Sequence, residues 1–134
     1  MNIKLDSDTL SAMRVFSEIT NVTPRDCMVN DDKLIFVVNQ GQAGLAIGKN
    51  GVKMKVLHDM LKKDIMVIEY ADDPIKLLEN IIRPNKLLSG YLTNGQGDDK
   101  KINVDIEGKV SSYKIKLIKL LMQRYFNILS INIK

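Results

Sequence analysis

The sequence predicts an α/β protein of the α+β kind, built as two copies of one small module in which helices pack on one face of a three-stranded sheet. Three observations carry that expectation. The 134 residues are enough for one ordinary domain or two very small ones. Short branched runs of strand length alternate with stretches of helical apolar spacing. The order of these elements repeats with a period of roughly 65 to 70 residues.

The first element is a helix. Asp6 and Ser7 are both capping residue types, and Leu10, Met13, Phe16 and Ile19 follow at three-residue steps as its apolar face, ending near Asn21 before Pro24. Residues 26–30 (DCMVN) and 33–39 (KLIFVVN) are short apolar runs around Asp31-Asp32, which reads as the turn of a hairpin. Helical apolar density returns at residues 42–47, is broken at 48–51, and resumes at 52–63 with Met54, Val56, Leu57, Met60 and Leu61. Residues 65–70 (IMVIEY) are branched and short enough for a strand. The second copy begins at Asp72-Asp73-Pro74, where Asp73 can cap a helix and Pro74 takes the first helical position, at which its missing donor costs nothing. That helix runs to about Arg83. Strands are expected at residues 86–93 and 101–106 around the turn-rich NGQGDDK, then a long helix at 112–126 and a closing strand at 128–133. The modules are therefore residues 1–72 and 73–134.

Composition narrows the function classes. No apolar run is long enough to span a bilayer, and the start MNIKLDSD has no apolar segment of the kind a secretory signal needs, so the expectation is a cytoplasmic protein with no membrane partner. Cys27 is the only cysteine; it can form no internal disulfide and reads as a small packed hydrophobe rather than a catalytic thiol. His58, the only histidine, has no Cys or acidic cluster at metal-ligand spacing and reads as a helix-surface residue. No paired carboxylates or Ser/His/Asp set stands out, so neither enzymatic activity, a cofactor nor a small-molecule substrate is expected. The charge is uneven: residues 1–73 carry nine Lys/Arg against eleven Asp/Glu, and residues 74–134 carry eleven against five. The basic second half suggests an anionic partner.

Two GxxG tetrapeptides lie close together, at residues 41–44 (GQAG) and 48–51 (GKNG). A nucleotide P-loop ending at Gly48-Lys49 would need glycine at Ala43 and Ser or Thr at Asn50, and a dinucleotide fingerprint from Gly41 would need glycine at Ala43. Both fail. A clamp for single-stranded nucleic acid asks only that GxxG join two helices after a hairpin and before a strand, and residues 48–51 stand there. Glycine lets a phosphate come close and adopts positive φ cheaply, and the start of the following helix favours an anion. Gly48, Lys49, Asn50 and Gly51 are therefore the candidate clamp, with Lys53 and Lys55 adding charge and Ile47 and Val52 adjoining it as groove residues. Gly41 and Gly44 read as a loop glycine and a close-packing glycine.

The stretch GLAIGKNGVKMKVLHDML followed by VIEYADDP, together with RDCMVNDDKLIFVV before it and MQRYFNILSINIK at the end, resembles the archaeal NusA-like proteins over nearly the whole chain. The resemblance implies two tandem type II KH modules that bind single-stranded RNA and act in transcription elongation or termination. One departure stands out. Counting back from Arg124-Tyr125-Phe126 puts the second module's turn glycines on Lys109 and Ser112, so that its clamp is degenerate. Lys109, Lys114, Lys116 and Lys119 remain as secondary RNA contacts, a stripe that reads equally as phosphate-binding or as a solvated helix face. The missing clamp and the acidic first half leave an alternative open, in which the fold is an interaction module docking on RNA polymerase or the ribosome.

Overall fold

The computed structural model describes residues 7–94 and 100–134. The loop expected within NGQGDDK lies largely outside them, as does the capping role of Asp6. The chain divides into two compact units, one ending at Tyr70 and the other beginning at Ala71. Each carries one three-stranded sheet with helices against it, as expected. Among the described residues no helix is long and apolar enough to cross a membrane.

The first unit runs α1 (Ser7–Thr20), β1 (Asp26–Asn30), β2 (Lys33–Val38), α2 (Ala43–Ile47), α3 (Val52–Leu61) and β3 (Asp64–Glu69). β1 and β2 form the expected hairpin, closed by Asn30 opposite Lys33 with Asp31 at φ 53°, a conformation that Asp tolerates. β3 pairs with β2 in parallel, Leu34 facing Ile65 and Phe36 facing Val67. The α2–α3 pair is the crossover that such a parallel join requires. The core unites Ala12 and Phe16 of α1, Cys27 of β1, Leu34, Phe36 and Val38 of β2, Ala46 of α2 and Leu57 of α3. Phe16 stacks on Phe36 with ring centroids 4.3 Å apart.

The buried face of α1 differs from the expected one. Thr9, Ala12, Phe16 and Thr20 face inward, while Leu10 is 53% exposed. Met13 and Ile19 pack against the same core as Phe16, as expected, whereas Leu10, at the far end of a row of three-residue steps that drifts about half a turn around the helix, turns to solvent. Thr20 closes the helix: its hydroxyl donates to Phe16 O at 2.7 Å and accepts from Val22 N at 3.0 Å. α3 stops at Leu61 because Lys62 turns left-handed and returns its N–H to His58 O, and β3 accordingly starts one residue earlier than expected.

The second unit runs α4 (Pro74–Ile82), β4 (Leu87–Asn94), β5 (Lys100–Ile106), α5 (Ser112–Phe126) and β6 (Ser130–Ile133). Asp73 caps α4 by accepting from Ile75 N at 3.3 Å, with Pro74 at the first position. β4 pairs antiparallel with β5, and β5 pairs in parallel with β6, reproducing the first sheet. Ile102, Val104 and Ile106 of β5 are buried, as are Leu117, Ile118, Leu121 and Met122 of α5. β6 begins two residues later than expected. Asn127 is left-handed and Ile128 N bonds back to Met122 O, so buried Ile128 belongs to the helix cap and not to the strand.

Candidate nucleic-acid interface

The two helices that cross over between β2 and β3 meet at the glycine turn. Gly48 ends α2 with φ 77° and ψ 174°, its N–H on Gly44 O at 3.0 Å. That backbone region belongs almost wholly to glycine. A Cβ there would also stand 2.9 Å from Lys53 Cγ. Residues Lys49–Gly51 then make a single 3₁₀ turn in which Asn50 (φ 57°) and Gly51 (φ 70°) are both left-handed. Nothing lies within 4 Å of a Cβ at Gly51, so its glycine serves the dihedral and leaves the approach to α3 open. No side chain caps α3. Lys49 and Asn50 are exposed above this bare helix start, which carries the positive end of the backbone dipoles.

The other tetrapeptide divides in two. Gly41 takes φ 84°, as a loop glycine does. Gly44 is helical and exposed with nothing within 4 Å of a Cβ, so close packing is not the reason for it.

The remaining candidates around the turn fall into three settings. Ile47 and Val52 are exposed beside the glycines, as are Leu45 of α2 and Val56 and Met60 of α3, and Val52, Val56 and Met60 stand at four-residue steps along α3. Lys55 lies on a groove of about 660 Å³ between α3 and β3, with Met54, His58, Asp64 and Met66. There His58 Nδ1 stands 2.9 Å from Lys63 O; a carbonyl only accepts, so this nitrogen carries the hydrogen, 3.7 Å from Asp64 Oδ1. Lys53 is engaged differently. Its ammonium donates to Leu45 O at 2.9 Å and Thr20 O at 3.2 Å, tying the start of α3 to the ends of α1 and α2.

The second unit builds the corresponding place another way. Only residues 107–111 separate β5 from α5, so α2 has no counterpart. Both helices start immediately after their N-caps, Gly51 and Ser111, and matching those caps sets residues 48–51 (GKNG) against 108–111 (GKVS). The count from Arg124 sets the turn one residue later, on Lys109 and Ser112, the register in which Lys114 stands opposite Lys53. Gly108 keeps a left-handed φ of 81°, close to that of Gly48. Ser111 replaces the second glycine at φ −64°, and its hydroxyl accepts from Lys114 N at 3.2 Å, occupying the helix start from within. Asn85 holds this loop through Nδ2, which donates to Glu107 O at 3.1 Å and Lys109 O at 3.4 Å.

Lys109, Lys116 and Lys119 are exposed. Lys114 is not presented in that way: its ammonium donates to Arg83 O at 2.6 Å and Ile82 O at 3.5 Å, the end of α4. Asn85 and the carbonyl contacts of Lys53 and Lys114 were invisible to spacing. No local signal marks a lysine that reaches a carbonyl about thirty residues away in sequence.

Residues 13–114 match the family model described as KH domain. A protein of Methanocaldococcus jannaschii named "Probable transcription termination protein NusA" is 35% identical over 85 residues, 63% of this chain and 46% of the relative, so the chain spans about half the length of that relative. A protein of the same name from Thermoplasma acidophilum is 27% identical over 138 residues, 98% of this chain and 96% of the relative. The crystal structure of APE1850 matches with a TM-score of 0.80 at 28% identity, over 97% of this chain and all of that one.

Proposed function

The chain belongs to the KH domain family, and from that premise we propose that it binds single-stranded RNA through the turn at residues 48–51 and acts in transcription elongation or termination. The observation that carries this reading is the turn itself. Two glycines and a left-handed Asn50 hold a side-chain-free approach to an uncapped helix start, beneath an exposed lysine. A phosphate diester fits such a place: it is an anion, and it needs close approach more than it needs a directed side chain. The exposed aliphatics Ile47 and Val52 and the groove beside Lys55 then meet the unpaired bases. The names of the archaeal relatives support the transcriptional setting, with the polymerase complex as the partner at hand.

Replacing Lys49 and Asn50 with Asp tests the clamp. Fluorescence anisotropy with single-stranded RNA is expected to show binding by the wild-type chain that weakens steeply with salt and falls roughly a hundredfold in the double variant, with the circular dichroism spectrum unchanged. Equal affinity for both chains would overturn it.

A second reading has its own observation. Val52 (53% exposed), Val56 (39%) and Met60 (54%) stand at four-residue steps on α3 and make an apolar row that a protein could cover. Docking on RNA polymerase or the ribosome would appear as retention of the chain by that machinery after nuclease treatment, with no measurable RNA affinity.

A further inference from the structure

The outward face of the second sheet carries a group that the clamp does not use. On β5, Ile102, Val104 and Ile106 point to the helices, so Lys101, Asn103 and Asp105 point away from them; across the strands they meet Thr93, Tyr91 and Ser89 of β4, and Lys101 and Asn103 meet Ser130 and Asn132 of β6. A polar outer face is what a one-sided sheet requires. An aromatic in its middle is not. Of the seven aromatic residues, Phe16 and Phe36 are fully buried, Tyr70, Tyr113, Tyr125 and Phe126 are half-buried, and Tyr91 alone is exposed, at 58%.

The groups around that ring are ordered. Asn103, directly opposite Tyr91, donates through Nδ2 to Thr93 Oγ1 at 2.9 Å and accepts at Oδ1 from Asn132 Nδ2 at 3.4 Å, a row of bonds across all three strands. A concavity of about 130 Å³ beside the ring is bounded by Ser89, Asn103, Asp105, Asn132 and Lys134. Lys101 and Lys134 bring two side-chain cations to this face and Asp105 a side-chain carboxylate.

We propose that this sheet face is a second contact surface for single-stranded RNA, on which one unpaired base stacks on the Tyr91 ring while Asn103 and Asn132 meet its edge and Lys101 and Lys134 attract the flanking phosphates. The inference takes its ligand from the function proposed above but not its site. Every base offers a π face, so stacking on an exposed ring binds without demanding a sequence, and asparagine offers a base edge both donor and acceptor. The unit whose helix start is closed by Ser111 thereby keeps a way to hold the strand.

The chain has no tryptophan, so Tyr91→Trp installs a single fluorescent reporter in the full chain. Titration with a single-stranded RNA of about a dozen nucleotides is expected to quench its emission saturably, Tyr91→Ala to weaken affinity about fivefold or more, and Tyr91→Phe to stay near wild type. The same titration is run with Lys49→Asp and Asn50→Asp added. Unchanged indole emission from the Tyr91→Trp variant, while the oligonucleotide binds and loses affinity on the clamp substitutions, overturns the sheet surface and leaves the clamp standing. Saturable quenching with affinity indifferent to those substitutions keeps the sheet surface and removes the clamp. An oligonucleotide that binds no form of the chain overturns both.

Discussion

The two units share a sheet topology, a lysine strut and, α2 apart, an order of elements, yet they treat the start of the crossover helix in opposite ways. Lys53 in the first unit and Lys114 in the second each run an ammonium from that helix back to the carbonyls ending the unit's first helix. Both long helices stop at a left-handed residue, Lys62 or Asn127. At the turn they part: Gly51 leaves the start of α3 bare, whereas Ser111 closes that of α5 with its own hydroxyl. The difference teaches that this fold does not need its glycine clamp. Buried apolar faces, caps and the strut hold the module, and the anion-ready turn is a separate feature that one cap residue can close.

The largest expected effect breaks the comparison if it fails. Lys49→Asp with Asn50→Asp is expected to weaken single-stranded RNA binding roughly a hundredfold, because it sets two negative charges against a phosphate. Lys109→Asp with Val110→Asp at the matching place in the second unit is expected to cost less than about threefold. Equal losses in an anisotropy titration would mean that both turns hold RNA and that the Ser111 cap is irrelevant.

Glycine substitutions come next. Gly48→Ala forces a side chain into φ 77° and against Lys53 Cγ, and is expected to cost about 2 kcal/mol in urea unfolding. Gly108→Ala meets only the amide of Asn85, at 3.2 Å, and is expected to cost about 1 kcal/mol. Reversal of that order would say that the second turn is the more tightly specified one.

The strut sharpens the likeness between the units. Lys53→Met and Lys114→Met each remove hydrogen bonds to helix-end carbonyls and are expected to lower stability by about 1 kcal/mol. Lys53→Met should leave RNA affinity within about twofold of wild type, since its ammonium is already engaged by carbonyls. A loss as large as that from the clamp substitutions would return Lys53 to the phosphate.

The smallest effect is a gain. Val110→Asn with Ser111→Gly writes GKNG at residues 108–111, removing the hydroxyl from the helix start at a cost of a few tenths of a kcal/mol in stability. RNA affinity is expected to rise about twofold to fivefold, the worth of one opened helix terminus. No gain would show that the missing α2, and not Ser111, disables the second turn.

Much of the fold was legible because it is written in local terms. The hairpin at Asp31-Asp32, the Asp73-Pro74 helix start and residues 112–126 as one helix are decided by turn chemistry, capping and period. The inward face of α1 holds for Met13, Phe16 and Ile19 and fails at Leu10, because a row of three-residue steps drifts around the helix and leaves the core at its first turn. At the site, the turn at residues 48–51 was legible from its glycines and its place between helices. The matching turn is less legible, because a count from Arg124 sets it on Lys109 and Ser112 while the helix caps set it on Gly108 and Ser111.

The sequence by itself determined the order of the elements, the repeat and the positions where only glycine is cheap, since each depends on neighbours along the chain. Tertiary structure alone decided which lysines are spent on carbonyls, which caps are closed and which aromatic stands in water. Those outcomes depend on groups that meet only after folding: Lys53 finds Thr20, Asn85 finds residues 107–109, and Tyr91 finds Asn103 across a strand pair. A side chain's charge or ring can be read from the sequence, but its partner is chosen by the distances that packing leaves.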